Sequence, residues 1–181
     1  MKQLSAFVML FFFATLSSVQ AQDKKPPMSP RITAESPDKN IRVVYGQPSK
    51  RNRQVFGSLV PYGQVWRTGA NEATEITFKN DVMFGGQMVK AGTYTMFTIP
   101  TEKEWTVILN SQLGQWGAYD YEKIKGSNVA QVKAAVSSGK TPIEKLTITP
   151  SNNSITIAWD NLTASVPVQP HGRTNVPGTG K

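Results

Sequence analysis

Short apolar-alternating segments at close spacing, the near absence of helical periodicity, and frequent Gly, Pro, Asn and Asp breaks predict an all-β fold. The architecture expected is a single antiparallel β-sandwich, jelly-roll-like, with little or no helix in the mature domain.

The chain opens with MKQLSAFVMLFFFATLSSVQA. Lys2 supplies a positive start, Ala6 to Leu16 is too short an apolar run for a comfortable membrane span, and Val19-Gln20-Ala21 is a small-residue cleavage site. Residues 1–21 are therefore predicted to be a signal peptide, with Gln22 as the first mature residue. Cleavage there leaves 160 of 181 residues, a one-domain length with no later membrane span. The expected location is periplasmic or secreted. The Pro-, Lys- and Ser-rich stretch 22–38 reads as a flexible leader, 39–168 as the β-sandwich domain and 169–181 as a disordered tail.

Within the domain, Ile41, Val43 and Tyr45 alternate with polar or smaller residues. Thr74, Ile76 and Phe78 share the face of a second strand. Val82–Phe84 and Gln87–Val89 flank Gly85-Gly86, the signature of a hairpin with a two-residue primed turn. Tyr94 to Ile99 is a strand closed by Pro100, and Trp105, Val107 and Leu109 mark the next. Val129 to Val136 fits a helix capped by Asn128 or a strand; its alternation tips the reading to strand. Ile143–Thr149, Ser154–Trp159 and Ala164–Val168 complete the series.

Composition removes several functions. With no cysteine, there is no thiol nucleophile, thiolate metal site or thiol for a lipid anchor. The single histidine, His171, lies in the expected tail, which argues against a Ser-His-Asp triad or a multi-histidine metal centre. No metal or other cofactor is expected. The formal charge of +8, or +7 without Lys2, suits anionic envelope partners. The one dense basic cluster, Lys50-Arg51-Asn52-Arg53, lacks interleaved aromatics, so no nucleic-acid role is expected.

The densest stretch of special residues is Leu59 to Phe78, LVPYGQVWRTGANEATEITF. Pro61 and Gly63 make a tight turn, and Gly69 permits a corner before the strand through Phe78. Counting parity back from Phe78 turns Glu72 inward, where a carboxylate needs a partner, and Arg67 is the nearest cation in sequence. A bidentate Arg67–Glu72 pair with Asn71 beside it would pin the corner. Alternatively, the same groups form the polar floor of a ligand pocket walled by Trp66. A second cluster, Gln115-Trp116-Gly117-Ala118-Tyr119, lies in a loop. Trp116 is expected mainly to cap the core, with one edge open beside Tyr119; the competing reading is a stacking platform for sugars. Trp105 and Trp159 read as core.

These segments resemble a family of exported bacterial proteins known only as a domain of unknown function. The resemblance runs from Ser36 to about Val168 and centres on VPYG-x-VWRTGANEAT. Tyr45–Ser49, Val55–Gly57, Ala91–Tyr94, Phe97–Pro100, Trp105–Asn110, Gln115–Gly117, Glu144–Ile148 and Trp159-Asp160 extend it. It implies export and an all-β fold, and carries no activity over.

The functional expectation is an exported, non-catalytic binding or accessory module of the cell envelope for a glycan or another polar ligand. Its ligand-binding candidates are Trp66, Arg67, Asn71, Glu72, Trp116 and Tyr119. The alternatives are a carboxylate-based hydrolase centred on Glu72, drawing on Glu75, Asp81, Asp120 or Glu122, and a purely structural envelope protein.

Overall fold

The computed structural model describes residues 27–171. The expected signal peptide, the leader before Pro27 and the tail after His171 lie outside the described residues.

Nine strands form one hydrogen-bonded sheet in which every pairing is antiparallel. They are β1 (Arg31–Glu35), β2 (Ile41–Gly46), β3 (Thr74–Phe78), β4 (Val82–Phe84), β5 (Gln87–Val89), β6 (Gly92–Ile99), β7 (Glu104–Asn110), β8 (Asn128–Pro150) and β9 (Ser154–Pro170). Their spatial order is β1-β2-β3-β6-β7-β8-β9-β4-β5. Among the described residues the one α-helix is α1 (Tyr121–Ile124), followed by a 3₁₀ turn. Val129 to Val136 lies within β8, a strand as its alternation predicts.

The two layers of this sandwich-like fold belong to a single sheet because β8 serves both. Its first part, Asn128–Ala135, pairs with β7, and Val136–Pro150 pairs with β9. The change of partner falls between Ala135 and Val136, and the pairing with β9 then shifts register between Ser138 and Ile143 and again between Ile143 and Thr147. The sheet thereby folds over one core that runs from Ile41 and Val43 through Phe78, Met96 and Trp105 to Ile157 and Val168. Although β5 and β8 are separated by two strands in the sheet order, they meet. Gln87 Nε2 donates to Gln131 O at 2.9 Å, and Gln131 N–H donates to Gln87 Oε1 at 3.1 Å. At the turn beside them a Cβ on Gly85 would lie 2.7 Å from Val132 Cβ, and Gly85 has φ +55°, so only glycine fits there.

The described part of the expected leader contains a strand, β1. Arg31–Glu35 pairs along its whole length with Glu35↔Arg42 through Arg31↔Gly46. Ile32 and Ala34 turn inward while Arg31, Thr33 and Glu35 face solvent, a short alternation hidden by the surrounding Pro, Lys and Ser composition. A turn ties β1 to β2: Ser36 Oγ and Asn40 N–H donate to Asp38, and Ser36 Oγ accepts from Ile41 N–H at 3.0 Å. At the other end β9 runs to Pro170, past the expected boundary at Val168, because Gln169 and Pro170 pair with Met83 and Val82.

The central strands are buried on both faces. The residues of β6 and β7 that point away from the main core, Phe97 and Ile108, are fully buried in a second cluster with Ala73 and Tyr121. Val65, Ala118 and Ile124 close it. The loop between β7 and β8 is therefore a lid on the outer face of the sheet.

Asp81 secures the β4–β5 hairpin, accepting from Lys90 Nζ and Ala91 N–H, each at 2.8 Å. The Lys90 hydrogen bond, then the Ala91 amide, hold the Asp81 carboxyl below its usual range. A carboxyl depressed in the folded state stabilises above its unfolded pKa, and that contribution is lost as pH falls through the folded value. Asp81→Asn is expected to lower the denaturation midpoint at neutral pH and to converge with the native protein once the pH has fallen below the depressed folded-state value. A gap that persists unchanged into acid would mean that the carboxylate charge plays no part.

Candidate functional site

The stretch Leu59–Phe78 first folds a turn against its own start, with Val60 N–H donating to Val55 O at 2.8 Å and Gly57 N–H to Val60 O at 2.9 Å. Gly63, at φ +72°, then lets its N–H reach Pro100 O at 2.9 Å. Trp66 exchanges both backbone hydrogen bonds with Thr98, at 2.7 and 2.9 Å, so it extends the sheet beside β6. Its indole N–H closes onto Gly69 O at 3.1 Å.

The corner that follows is built from left-handed residues, Thr68 at φ +55° and Asn71 at φ +64°. Buried threonine hydroxyls lock it: Thr74 Oγ1 donates to Thr68 O at 2.9 Å and Thr68 Oγ1 to Thr98 Oγ1 at 3.2 Å. Ala70 N–H donates to Gly46 O at 3.1 Å, which lays the corner directly on β2.

This corner does not pair Arg67 with Glu72. The two left-handed residues rotate the chain, so parity counted from Phe78 does not reach Glu72. The Glu72 backbone instead bridges Trp116, and its carboxylate faces Arg31 Nη1 at 3.6 Å with both side chains substantially exposed. Glu75 is engaged separately, accepting from Gly114 N–H at 3.1 Å.

Arg67 lines a cleft of about 240 Å³ with Arg53, Trp66, Trp159, Leu59 and Ser29, and no carboxylate is among the lining residues. The Arg67 Nε–H is buried and has no acceptor among the described residues. Arg67 also forms no ion pair among them. Arg53 is held from behind: its Nε donates to Lys50 O at 2.9 Å and its Nη2 to Ser49 O at 2.8 Å. The loop that carries it is anchored by the Lys50–Asp160 ion pair and by Arg51 N–H donating to Glu144 Oε1 at 2.9 Å. Trp66 and Trp159 stack with ring centroids 6.0 Å apart and planes at 18°, and Trp159 Nε1 donates to Glu144 O. The cleft thus joins two guanidinium groups, that of Arg53 held from behind and that of Arg67 with its Nε–H unpartnered, to indole walls, an arrangement that favours a ligand with negative charge and a flat apolar part. Asn71 stands behind it, Nδ2 donating to the cleft residue Ser29 through its carbonyl at 3.2 Å.

Trp116 and Tyr119 lie outside this cleft. Trp116 is 56% exposed and Tyr119 79% exposed, so neither caps the core. Tyr121 supplies the aromatic that seals the outer face, packing edge-on against Phe97 with centroids 5.2 Å apart. The Trp116 loop is nonetheless fixed: Gly117 N–H donates to Asn71 O at 3.0 Å and Ala73 N–H to Gln115 O at 2.8 Å. The Tyr119 ring leans over Gly117, where a Cβ would lie 2.6 Å away. Trp116→Ala and Tyr119→Ala are each expected to change stability by less than about 0.5 kcal/mol in urea denaturation, as exposed positions do. A loss of core-aromatic size at Trp116 would contradict this placement.

Sequence reasoning missed Arg53 and Trp159 as cleft residues. The Lys50–Arg53 cluster was visible, but its apposition to the Leu59–Ala70 corner depends on contacts distant in sequence. Trp159 is core, 1% exposed, as its strand position suggests, and also walls the cleft.

The family described as Protein of unknown function (DUF2911) matches residues 28–168. No curated protein and no solved structure matches the chain.

Proposed function

Because this chain belongs to the DUF2911 family, which brings no activity with it, we propose a function from the site itself: an exported, non-catalytic binding or accessory module of the cell envelope that holds a glycan or another polar ligand bearing negative charge. The observation that carries this reading is the cleft with two arginines, two indoles and no acid. A buried N–H without a partner costs about 1–3 kcal/mol, a cost that a bound carboxylate would offset while pairing with the guanidinium charge. The export half of the proposal rests on the signal-peptide pattern of residues 1–21.

The hydrolase alternative has less support, because Glu72 is paired with Arg31 and Glu75 is held by the Gly114 amide. A purely structural role leaves the acid-free arginine cleft without a purpose.

Titration with galacturonate, followed through tryptophan fluorescence, tests the reading, since Trp66 and Trp159 wall the cleft. A saturable change is expected, weakened by added salt and lost in Arg67→Gln. Galactose, the same ring without the carboxylate, is expected to give none. Equal responses to both sugars, or an unaltered response in Arg67→Gln, would overturn the anionic assignment.

A further inference from the structure

Two separate strands of chain connect the arginine cleft to the exposed aromatic loop. Along the first, Ala70 lines the cleft and Glu72, two residues on, bridges Trp116. Along the second, Ser29 lines the cleft and Arg31, two residues on, pairs with Glu72. Covalent geometry bounds the separation. Two residues of chain span at most about 7 Å, and an antiparallel bridge adds about 5 Å between Cα atoms. Trp116 therefore lies at most about 12 Å along the backbone from the cleft-lining Ala70, and Asn71 links the two by bonding to Ser29 O and accepting from Gly117 N–H.

The two ends differ in charge. The cleft presents arginines without an acid. Around the aromatic loop Arg31 pairs with Glu72, Lys123 with Asp120 and Lys125 with Glu122, and the Glu75 carboxylate is taken up by the Gly114 N–H. One end thus calls for an anion and the other for an uncharged face. Exposed aromatic rings carry a negative π face that complements the flat C–H face of a sugar ring. Leu113, Trp116 and Tyr119 are all exposed on this one loop, whose backbone is tied down in both directions, so the rings are presented at little further entropic cost.

We infer that the site takes an acidic oligosaccharide, with a carboxylate in the Arg67–Arg53 cleft and a neighbouring ring on the Trp116–Tyr119 loop. This rests on the binding reading above and adds a second subsite to it. A single acidic sugar fills the cleft alone, and a chain of two or three units reaches both.

Calorimetric titration of the purified protein with galacturonate oligomers of one to four units separates the two claims. Affinity is expected to rise about tenfold from one unit to three, in the range of an added aromatic contact. Trp116→Ala is expected to abolish that gain and keep the single-unit affinity, with Tyr119→Ala giving a smaller loss. Arg67→Gln is expected to remove binding at every length. Affinity independent of length and untouched by Trp116→Ala, yet lost in Arg67→Gln, would overturn the second subsite and leave the cleft reading standing. No binding by any oligomer would overturn both. An oligoglutamate peptide showing the same length gain and the same Trp116 dependence would replace the glycan with an acidic peptide.

Discussion

Trp159→Ala is expected to destabilise the domain by about 3–5 kcal/mol, the range for removing a buried aromatic side chain. Trp159 is 1% exposed, stacks on Trp66 and meets Phe56 edge-on with centroids 6.3 Å apart. Its loss also removes one of the two donors to Glu144 O, which accepts the indole N–H at 3.1 Å and the Lys50 N–H at 2.8 Å and so ties the stack to the Lys50–Arg53 loop. Urea denaturation measures the loss, and Trp159→Phe, which keeps a ring in the stack but no donor, should recover part of it. A midpoint within experimental scatter of the native protein would mean that the indole stack is not part of the core.

Gly46→Ala is expected to cost stability toward the upper end of about 1–3 kcal/mol, the usual range for overpacking. A Cβ on Gly46 would lie 2.0 Å from Ala70 O and 2.9 Å from Ala70 C. Both are backbone atoms, so relief requires the whole corner to lift from β2. Since Gly69 and Ala70 line the cleft, the same substitution should weaken galacturonate binding even under conditions where the variant remains folded. Thermal denaturation and fluorescence titration report the two effects separately. A variant with native stability would show that the corner does not rest on β2 as the Ala70–Gly46 hydrogen bond implies.

Much of the fold was legible because two-residue periodicity survives in β2, β3 and β7, and because Gly85-Gly86 marks its hairpin. β1 was obscured: five residues with only Ile32 and Ala34 half-buried give too weak an alternation to stand out from a Pro-rich setting. The change of partner at Ala135/Val136 leaves no signal, since the alternation runs on through Val136 and lapses only over the exposed residues 137–145.

The site was harder to read. Trp66 and Arg67 were correctly brought to one place because they adjoin in sequence and the turn chemistry around them is local. The Arg67–Glu72 expectation failed because parity holds only while the backbone stays extended, and Thr68 and Asn71 leave that region. Trp116 was expected mainly to cap the core, with one edge open beside Tyr119, because its loop follows a strand rich in core residues. The fold covers that face with Tyr121, Ala118 and Ile124 instead, and nothing in the spacing of the loop distinguishes one aromatic from the other.

The position of β9 in the sheet has a consequence for how the molecule is made. β4 pairs locally with β5, but finds its second partner only when Val82, Met83 and Phe84 meet Pro170, Gln169 and Val168, more than eighty residues downstream. Until that last strand is available, the inner faces of β4 and β8 have no lining from Ile155, Ile157, Val166 and Val168. A nascent chain therefore cannot complete its core until β9 has been made through Pro170, and refolding belongs in the slow, millisecond-to-second regime of non-local β topologies. Delayed closure of this kind keeps a polypeptide threadable until its C-terminal strand arrives, and it makes the loss of even a few residues before Pro170 a defect of assembly.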